Sequence, residues 1–134
     1  MNQTEIAAKK LAEDFTYLDD WENRYQYLID LGKGLAIFDD AEKKPENIVP
    51  GCASQVWLIT QRKQDKLYFK ASSDAFIVAG LLQLLTLLFN GQNSLEIAAF
   101  EIEQFFKQLK LDEALSPTRT NGFFSVVSKL KSQC

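Results

Sequence analysis

The 134-residue sequence contains no histidine and only two cysteines. The lack of histidine excludes Ser-His-Asp catalysis, Cys-His dyads and every zinc site with imidazole ligands. Two cysteines are too few for a four-thiolate metal site or an iron–sulfur cluster held by one chain. Thiol chemistry at one or both cysteines is therefore the main reactive capacity that the composition leaves.

Positive charge is also in short supply, because the net charge is −3. Neither half of the chain shows a basic stripe, so a nucleic-acid partner is not expected. The longest apolar run, from Ala75 to Phe89, is 15 residues long and includes Gln83 and Thr86. A membrane span needs about 20 apolar residues, so this run predicts a buried core helix and no membrane partner.

Two further absences, of a leader segment and of a disulfide framework, bear on the expected cellular location. No cationic, apolar leader opens the sequence, and the two cysteines form no recognisable disulfide framework. Both observations favour a reducing cytoplasm. The length fits one domain, so the sequence predicts a soluble cytoplasmic protein with a single domain over residues 1–134.

Helical periodicity occurs on both sides of a central region that has the pattern of strands. Apolar residues recur at i, i+3, i+4 and i+7 within residues 4–18, 102–109 and 123–130. Asp20 is predicted to cap a second helix that starts at Trp21 and stops at Gly32. The segment from Ser72 to Asp74 is predicted to cap the apolar helix, and Ser94 to cap a further one.

Residues 56–71 have the pattern of a β-hairpin. The run 56–60 is rich in β-forming residues, residues 61–66 are polar and predict a turn, and residues 67–71 alternate apolar with polar. Helices before and after a small sheet indicate an α+β domain and not an alternating α/β one.

Cys52 is the main candidate for chemistry. It follows Pro50 and Gly51 and precedes a strand, which predicts a position at the tip of a loop. A thiolate attacks sulfur without a general base, so thiol exchange is open to a protein without histidine. From position alone, a small buried apolar residue is the more common role of a free cysteine. Cys134 is predicted to be exposed and is assigned no role.

Two charged residues are weaker candidates on position alone. Arg119 lies between Pro117 and the Asn121-Gly122 pair and could stabilise a thiolate, although a solvated surface arginine is the simpler interpretation. Asp74 is explained fully by a helix-capping role.

Four segments resemble the SufE family of sulfur-acceptor proteins, in the family's order along the chain. Residues 51–57 resemble its GCxSxVW signature, and residues 20–32 resemble its W-E-x-[RK]-Y-x-Y-[IL]-x-x-L-G block. Residues 73–81 match S-D-A-x-I-V-x-G-L, and residues 115–122 match L-[ST]-P-[ST]-R-x-x-G. One block would be suggestive, and four in order are highly specific.

The resemblance implies a fold and a function. The implied fold is a small, mainly antiparallel sheet of about three strands packed against helices, related to scaffold proteins of the IscU type. Cys52 would accept persulfide sulfur from a SufS- or CsdA-like cysteine desulfurase, stimulate that enzyme and deliver sulfur to an iron–sulfur scaffold complex. The pyridoxal phosphate belongs to the desulfurase, so no cofactor and no independent turnover are expected here.

The resemblance also ranks the site residues. Arg119 becomes a candidate for thiolate or persulfide stabilisation or for docking, and Asp74 becomes a weaker candidate for loop support or docking. Because a persulfide is prone to stray reactions, we expect Cys52 to face apolar neighbours at rest and to swing out when a partner docks. The sequence leaves open the identity of the desulfurase and a monomeric or homodimeric state. The alternative function is a thiol redox protein in which Cys134 resolves an oxidised Cys52.

Overall fold

The computed structural model describes residues 2–52 and 54–134. Within these stretches the chain forms seven α-helices and one three-stranded antiparallel sheet, which confirms the predicted α+β class. The elements are α1 (Gln3–Thr16), α2 (Trp21–Gly32), β1 (Val56–Lys63), β2 (Lys66–Ser73), α3 (Phe76–Phe89), β3 (Gln92–Asn93), α4 (Ser94–Ala99), α5 (Ile102–Gln108), α6 (Leu111–Ala114) and α7 (Pro117–Ser132). Two short 3₁₀ turns, Asp40–Glu42 and Pro45–Asn47, lie between α2 and β1.

The predicted hairpin is present but is longer than the sequence pattern suggested. β1 and β2 pair from Val56 opposite Ser73 to Lys63 opposite Lys66, so a two-residue turn replaces the predicted turn over residues 61–66. Gln64 supplies the turn with a left-handed φ of 57°. The polar residues 61–63 remain in the strand because the backbone ladder with β2 continues through them, and polarity on an exposed strand end does not prevent pairing.

The inner face of the sheet and most of α3 form the core, although Phe76 and Leu87 of this helix are exposed. Five strand side chains on this face are buried: Val56, Leu58, Leu67, Phe69 and Ala71. The apolar run predicted to be a core helix is α3, and four side chains of its second half are fully buried: Leu84, Leu85, Leu88 and Phe89. β3 adds two residues beside β2, so the strand order is β1-β2-β3. No helix among the described residues is both long enough and apolar enough to cross a membrane.

The other predicted apolar stripes are also buried. Ala8, Leu11 and Phe15 of α1 and the stripe from Ile102 to Leu109 lie in the core. On α7 the buried residues are Phe123, Val126, Val127 and Leu130. The stripe of residues 102–109 belongs to α5 alone, since the backbone between α4 and α5 leaves the helical conformation at Phe100.

Of the three N-cap predictions made from the sequence, one is confirmed and two are wrong. The Asp20 carboxylate accepts the Asn23 N–H at 2.9 Å, as predicted. The predicted cap at Asp74 is wrong, because the N-cap residue of α3 is Ala75 and no side chain caps it. The predicted cap at Ser94 is also wrong, because Ser94 is already helical and Asn93 caps α4 by accepting from Leu95 N–H.

The backbones of α2 and α3 touch at Gly80. A Cβ atom added at Gly80 would overlap the carbonyl oxygen of Leu28, and one added at Gly32 would lie 2.8 Å from the Gly80 nitrogen. α2 ends at Gly32, as predicted, but with an ordinary right-handed backbone, so the glycine serves this close approach. Two glycines therefore set the distance between the central helix and α2.

We expect Gly80→Ala to lower the free energy of unfolding by about 3 kcal/mol, because the added methyl group overlaps a backbone atom that cannot move aside. The measurement is the urea midpoint of each variant. Gly34→Ala is the matched control, since its Cβ would meet the movable Gln83 amide at 3.1 Å. That control should shift the stability by less than about 1 kcal/mol. Equal midpoints for the two variants would contradict the close-approach constraint.

Candidate functional site

Two hydrogen bonds hold the ends of the Cys52 loop in place, one between backbone groups and one from a side chain of β2. The N–H of Val49 donates to the carbonyl of Val56 at 2.9 Å, and the Ser73 hydroxyl donates to the carbonyl of Gln55 at 2.8 Å. Ile48 also pairs with Trp57 at the edge of β1. The signature residue Ala53 lies outside the described residues. Cys52 is thus presented by a tight connection into the first strand, as the sequence predicted.

The loop rests on α7 through small residues. Gly51 has a φ of +88°, a left-handed conformation that strains any residue with a Cβ atom. A Cβ added there would lie 2.8 Å from the Ser125 hydroxyl oxygen. One residue later, the Cys52 thiol donates to the Gly122 carbonyl over a long 3.6 Å contact. Gly122 has no side chain, and a Cβ added there would lie 3.5 Å from the Cys52 sulfur, an ordinary contact distance.

The half-buried Cys52 side chain lines a small apolar cavity between β1, α3 and α7. The cavity has a volume of about 30 Å³. Its other lining residues are Ser54, Val56, Val78, Leu81, Leu82, Thr118, Arg119, Gly122, Phe123 and Val126. The accessible wall is almost entirely apolar, in agreement with the expectation that Cys52 faces apolar neighbours.

Burial raises the pKa of the Cys52 thiol above its ordinary value. No charged group counters this shift, so the thiol is neutral at neutral pH in this conformation. Arg119 is the one charged residue among those that line the cavity, and its side chain is exposed at the rim. The Arg119 backbone N–H donates to the Ser116 hydroxyl, which fixes the first turn of α7 and therefore the position of the arginine.

Asp74 does not line this cavity. It is exposed in the bend between β2 and α3, next to Ser73, whose hydroxyl also accepts the Ala75 N–H. Ser73 therefore contacts both the loop and the start of α3, whereas the sequence analysis considered it only as one of three possible caps of that helix. Among residues 2–52 and 54–134, no partner within ion-pair or hydrogen-bond distance is found for the Asp74 carboxylate.

Cys134 is half-buried and not exposed as predicted, because its side chain packs against the core. Its thiol donates to the Leu130 carbonyl over a long 3.6 Å contact. Burial raises the pKa of this thiol, while Arg62 and Lys131 lower it. Leu130 lies eight positions after Gly122 in α7, which corresponds to about 12 Å along the helix axis. A disulfide needs Cβ atoms within about 4.5 Å, so the structure does not bring Cys52 and Cys134 together.

Three of the four sequence blocks meet at the cavity. The block of residues 51–57 provides Cys52, the block of residues 73–81 provides Val78 and Leu81 from α3, and the block of residues 115–122 provides Arg119 and Gly122 from α7. The sequence identified these blocks by their order and did not show that they meet in space. Leu82 and Val126 were missed as lining residues, since in the sequence they look like any other core position. Within the described residues, no group of three or more metal-ligating side chains is found.

Comparisons with known proteins identify the same family. Residues 9–134 match the profile of SufE, the Fe-S metabolism associated domain. An uncharacterized SufE-like protein from Rhizobium etli is 41% identical over 128 residues, covering 92% of this chain and 86% of the relative. A second, from Rhizobium meliloti, is 40% identical over 128 residues and covers 92% of this chain and 91% of the relative.

The fold also has a counterpart among solved structures. The solution structure of a hypothetical protein from Thermus thermophilus superimposes with a TM-score of 0.77. It covers 95% of this chain and 92% of that chain at 19% identity, which supports the fold alone. The family match over nearly the whole chain and the two relatives decide the identity: this protein belongs to the SufE family, whose domain is associated with Fe–S metabolism.

Proposed function

We propose that this protein accepts sulfane sulfur on Cys52 from the persulfide of a pyridoxal-phosphate cysteine desulfurase and carries it to an iron–sulfur scaffold complex. The observation that carries the proposal is the Cys52 thiol, held by the family's signature loop against an apolar cavity with a single arginine at its rim. The family's association with Fe–S metabolism supports the same sulfur pathway.

The transfer is a thiol exchange that needs no histidine. The Cys52 thiolate attacks the outer sulfur of the donor's persulfide, the donor's S–S bond breaks, and the donor cysteine leaves as a thiolate. Cys52 then carries the outer sulfur and its proton as a persulfide. Removing the donor's persulfide frees its cysteine for another turnover, so this chain would stimulate the desulfurase without a turnover or cofactor of its own.

The raised pKa of Cys52 makes the resting conformation a protected one. A neutral thiol is a poor nucleophile, so the loop has to leave the cavity before transfer. Outside the cavity the sulfur regains solvent and lies near Arg119, whose permanent positive charge favours the thiolate over the thiol. Arg119 would thus stabilise the reacting anion or contact the docked partner, and exposed Asp74 would contact the partner or support the loop.

The alternative redox function has less support. It needs Cys134 to resolve an oxidised Cys52, but the two thiols contact carbonyls of α7 that lie eight positions apart, about 12 Å along the helix axis. The pKa of Cys52 is also raised, whereas peroxide-reactive thiols have lowered values. A cytoplasmic location and a desulfurase partner remain parts of the proposal, together with an undetermined monomer or homodimer state.

The direct test is intact mass and peptide mapping after incubation with cysteine and an active cysteine desulfurase from the same organism. We expect one added sulfur on the peptide that carries Cys52, because this thiol is the acceptor. Cys52→Ser should abolish the added mass, and Cys134→Ser should not change it. A persulfide on Cys134 alone, or no added sulfur with an active desulfurase, would refute the carrier function.

A second test concerns the closed loop. We expect Gly51→Ala to speed iodoacetamide alkylation of Cys52 at pH 7 by about 10-fold, because an Ala in left-handed backbone costs roughly 1–2 kcal/mol and shifts the loop toward the open state. Burial raises the pKa of the closed thiol. The pH midpoint of alkylation should therefore be lower in the variant than in the wild type.

Gly91→Ala is the matched control for this experiment. Gly91 has a similar left-handed φ of +77°, but it lies between α3 and β3, where its Cβ would meet Tyr68. The strain is comparable while the Cys52 loop is untouched, so the alkylation rate and midpoint of Cys52 should equal those of the wild type. If Gly91→Ala accelerated alkylation as much as Gly51→Ala, general destabilisation would replace loop opening as the explanation.

A further inference from the structure

We propose that the cavity limits the sulfur load of Cys52 to one protected atom, and that Gly122 is the residue whose small size leaves room for that atom. The inference rests on the proposed carrier function and adds a specificity to it: the persulfide is sheltered, whereas a trisulfide or longer chain is not. Three features carry it, namely the volume of the cavity, the composition of its walls and the geometry at Gly122.

The volume of the cavity matches one sulfur. A cavity of roughly 10–15 Å³ holds one water molecule, and a divalent sulfur needs about twice that space because its radius is larger. The cavity measures about 30 Å³ and begins at the Cys52 side chain. The outer sulfur of a persulfide lies about 2.05 Å from Sγ, so it would occupy this space directly. A second sulfur would need about as much space again, which a cavity of this volume does not provide.

The walls do not yield easily to a longer chain. Leu81, Leu82 and Val126 are each only 2% exposed, and their other faces pack against the core. Close-packed side chains of this kind resist displacement, since moving them leaves voids or strain elsewhere. A second added sulfur would therefore lie outside the cavity, where solvent and nucleophiles reach it.

Gly122 is the position where the space could be removed with the least damage. A Cβ added there would lie 3.5 Å from the Cys52 Sγ and 3.6 Å from the Cys52 Cα and Cβ, all ordinary contact distances. The thiol form would thus tolerate alanine, and an interior helix position gains about 1 kcal/mol from Gly→Ala. The added methyl group would nevertheless occupy part of a cavity that has room for only one sulfur.

The test loads the protein chemically, without a desulfurase. In a Cys134→Ser background, the Cys52 thiolate attacks a terminal sulfur of sodium tetrasulfide, which gives the Cys52 persulfide anion and a trisulfide dianion. Further rounds lengthen the chain. A short treatment with cyanide then removes accessible sulfane sulfur as thiocyanate and restores the shorter chain, and intact mass counts the sulfurs that remain.

We expect the parent protein to retain one sulfur and to lose every further one. Val126→Ala enlarges the cavity and should retain two. Val127→Ala is the matched control, because Val127 is its buried neighbour on α7 and does not line the cavity; it should retain one. Gly122→Ala should lose even the first sulfur about 10-fold faster than the parent, while its melting temperature is at least that of the parent, because an interior helix position gains stability from Gly→Ala.

Two results would overturn the inference: a second sulfur as resistant as the first in the parent, or equal distributions for Val126→Ala and Val127→Ala. Thermal melting checks that each variant folds. If Val126→Ala does not fold, Gly122→Ala decides alone, and an unchanged rate of sulfur loss then refutes the role of Gly122. If a desulfurase fails to load Cys52 but tetrasulfide leaves one protected sulfur, the proposed donor falls and the one-sulfur limit stands.

Discussion

The contact between the backbones of α2 and α3 at Gly80 fixes how closely the central helix packs against α2. α3 is covered by helices and by the inner face of the sheet, so its position decides the placement of its neighbours. Because Gly80 lies against the Leu28 carbonyl, α3 can neither rotate nor slide without a backbone collision. Residues 78–82, which include three of the apolar residues lining the cavity, flank this contact directly. The packing constraint and the candidate site therefore share one turn of helix.

A second close approach, between the Cys52 loop and α7, is much weaker. It consists of a left-handed glycine against Ser125, a long contact from the thiol to the Gly122 carbonyl, and one half-buried side chain. Burying a small thiol contributes on the order of 1 kcal/mol. Under the proposed function, the Gly80 contact fixes α3, which lines the cavity, and a docking partner would move the Cys52 loop at little cost in binding free energy.

The sequence predicted the elements well and their meeting points poorly. Periodicity identified the buried stripes of α1, α5 and α7 and the hairpin, because burial on one face leaves a pattern in the chain. It failed at Asp74 and Ser94, since the backbone path places the start of α3 one residue after Asp74, without a side-chain cap, and the start of α4 at Ser94, with Asn93 as its cap. Family resemblance singled out Cys52 and Arg119. The contact of Cys52 with Gly122 depends on residues 70 positions apart, which no local pattern encodes.

The electrostatics of the site favour storage over catalysis. An enzyme that used Cys52 as a resident nucleophile would keep its thiolate stabilised in place, whereas here the cavity is apolar and raises the thiol pKa. The single positive charge, Arg119, lies at the rim and not beneath the sulfur. Under the proposed function, the thiol is unreactive when turned inward and becomes a nucleophile only after it moves toward Arg119. Such a division suits a chain whose chemistry should wait for a partner, because reactivity is then tied to docking.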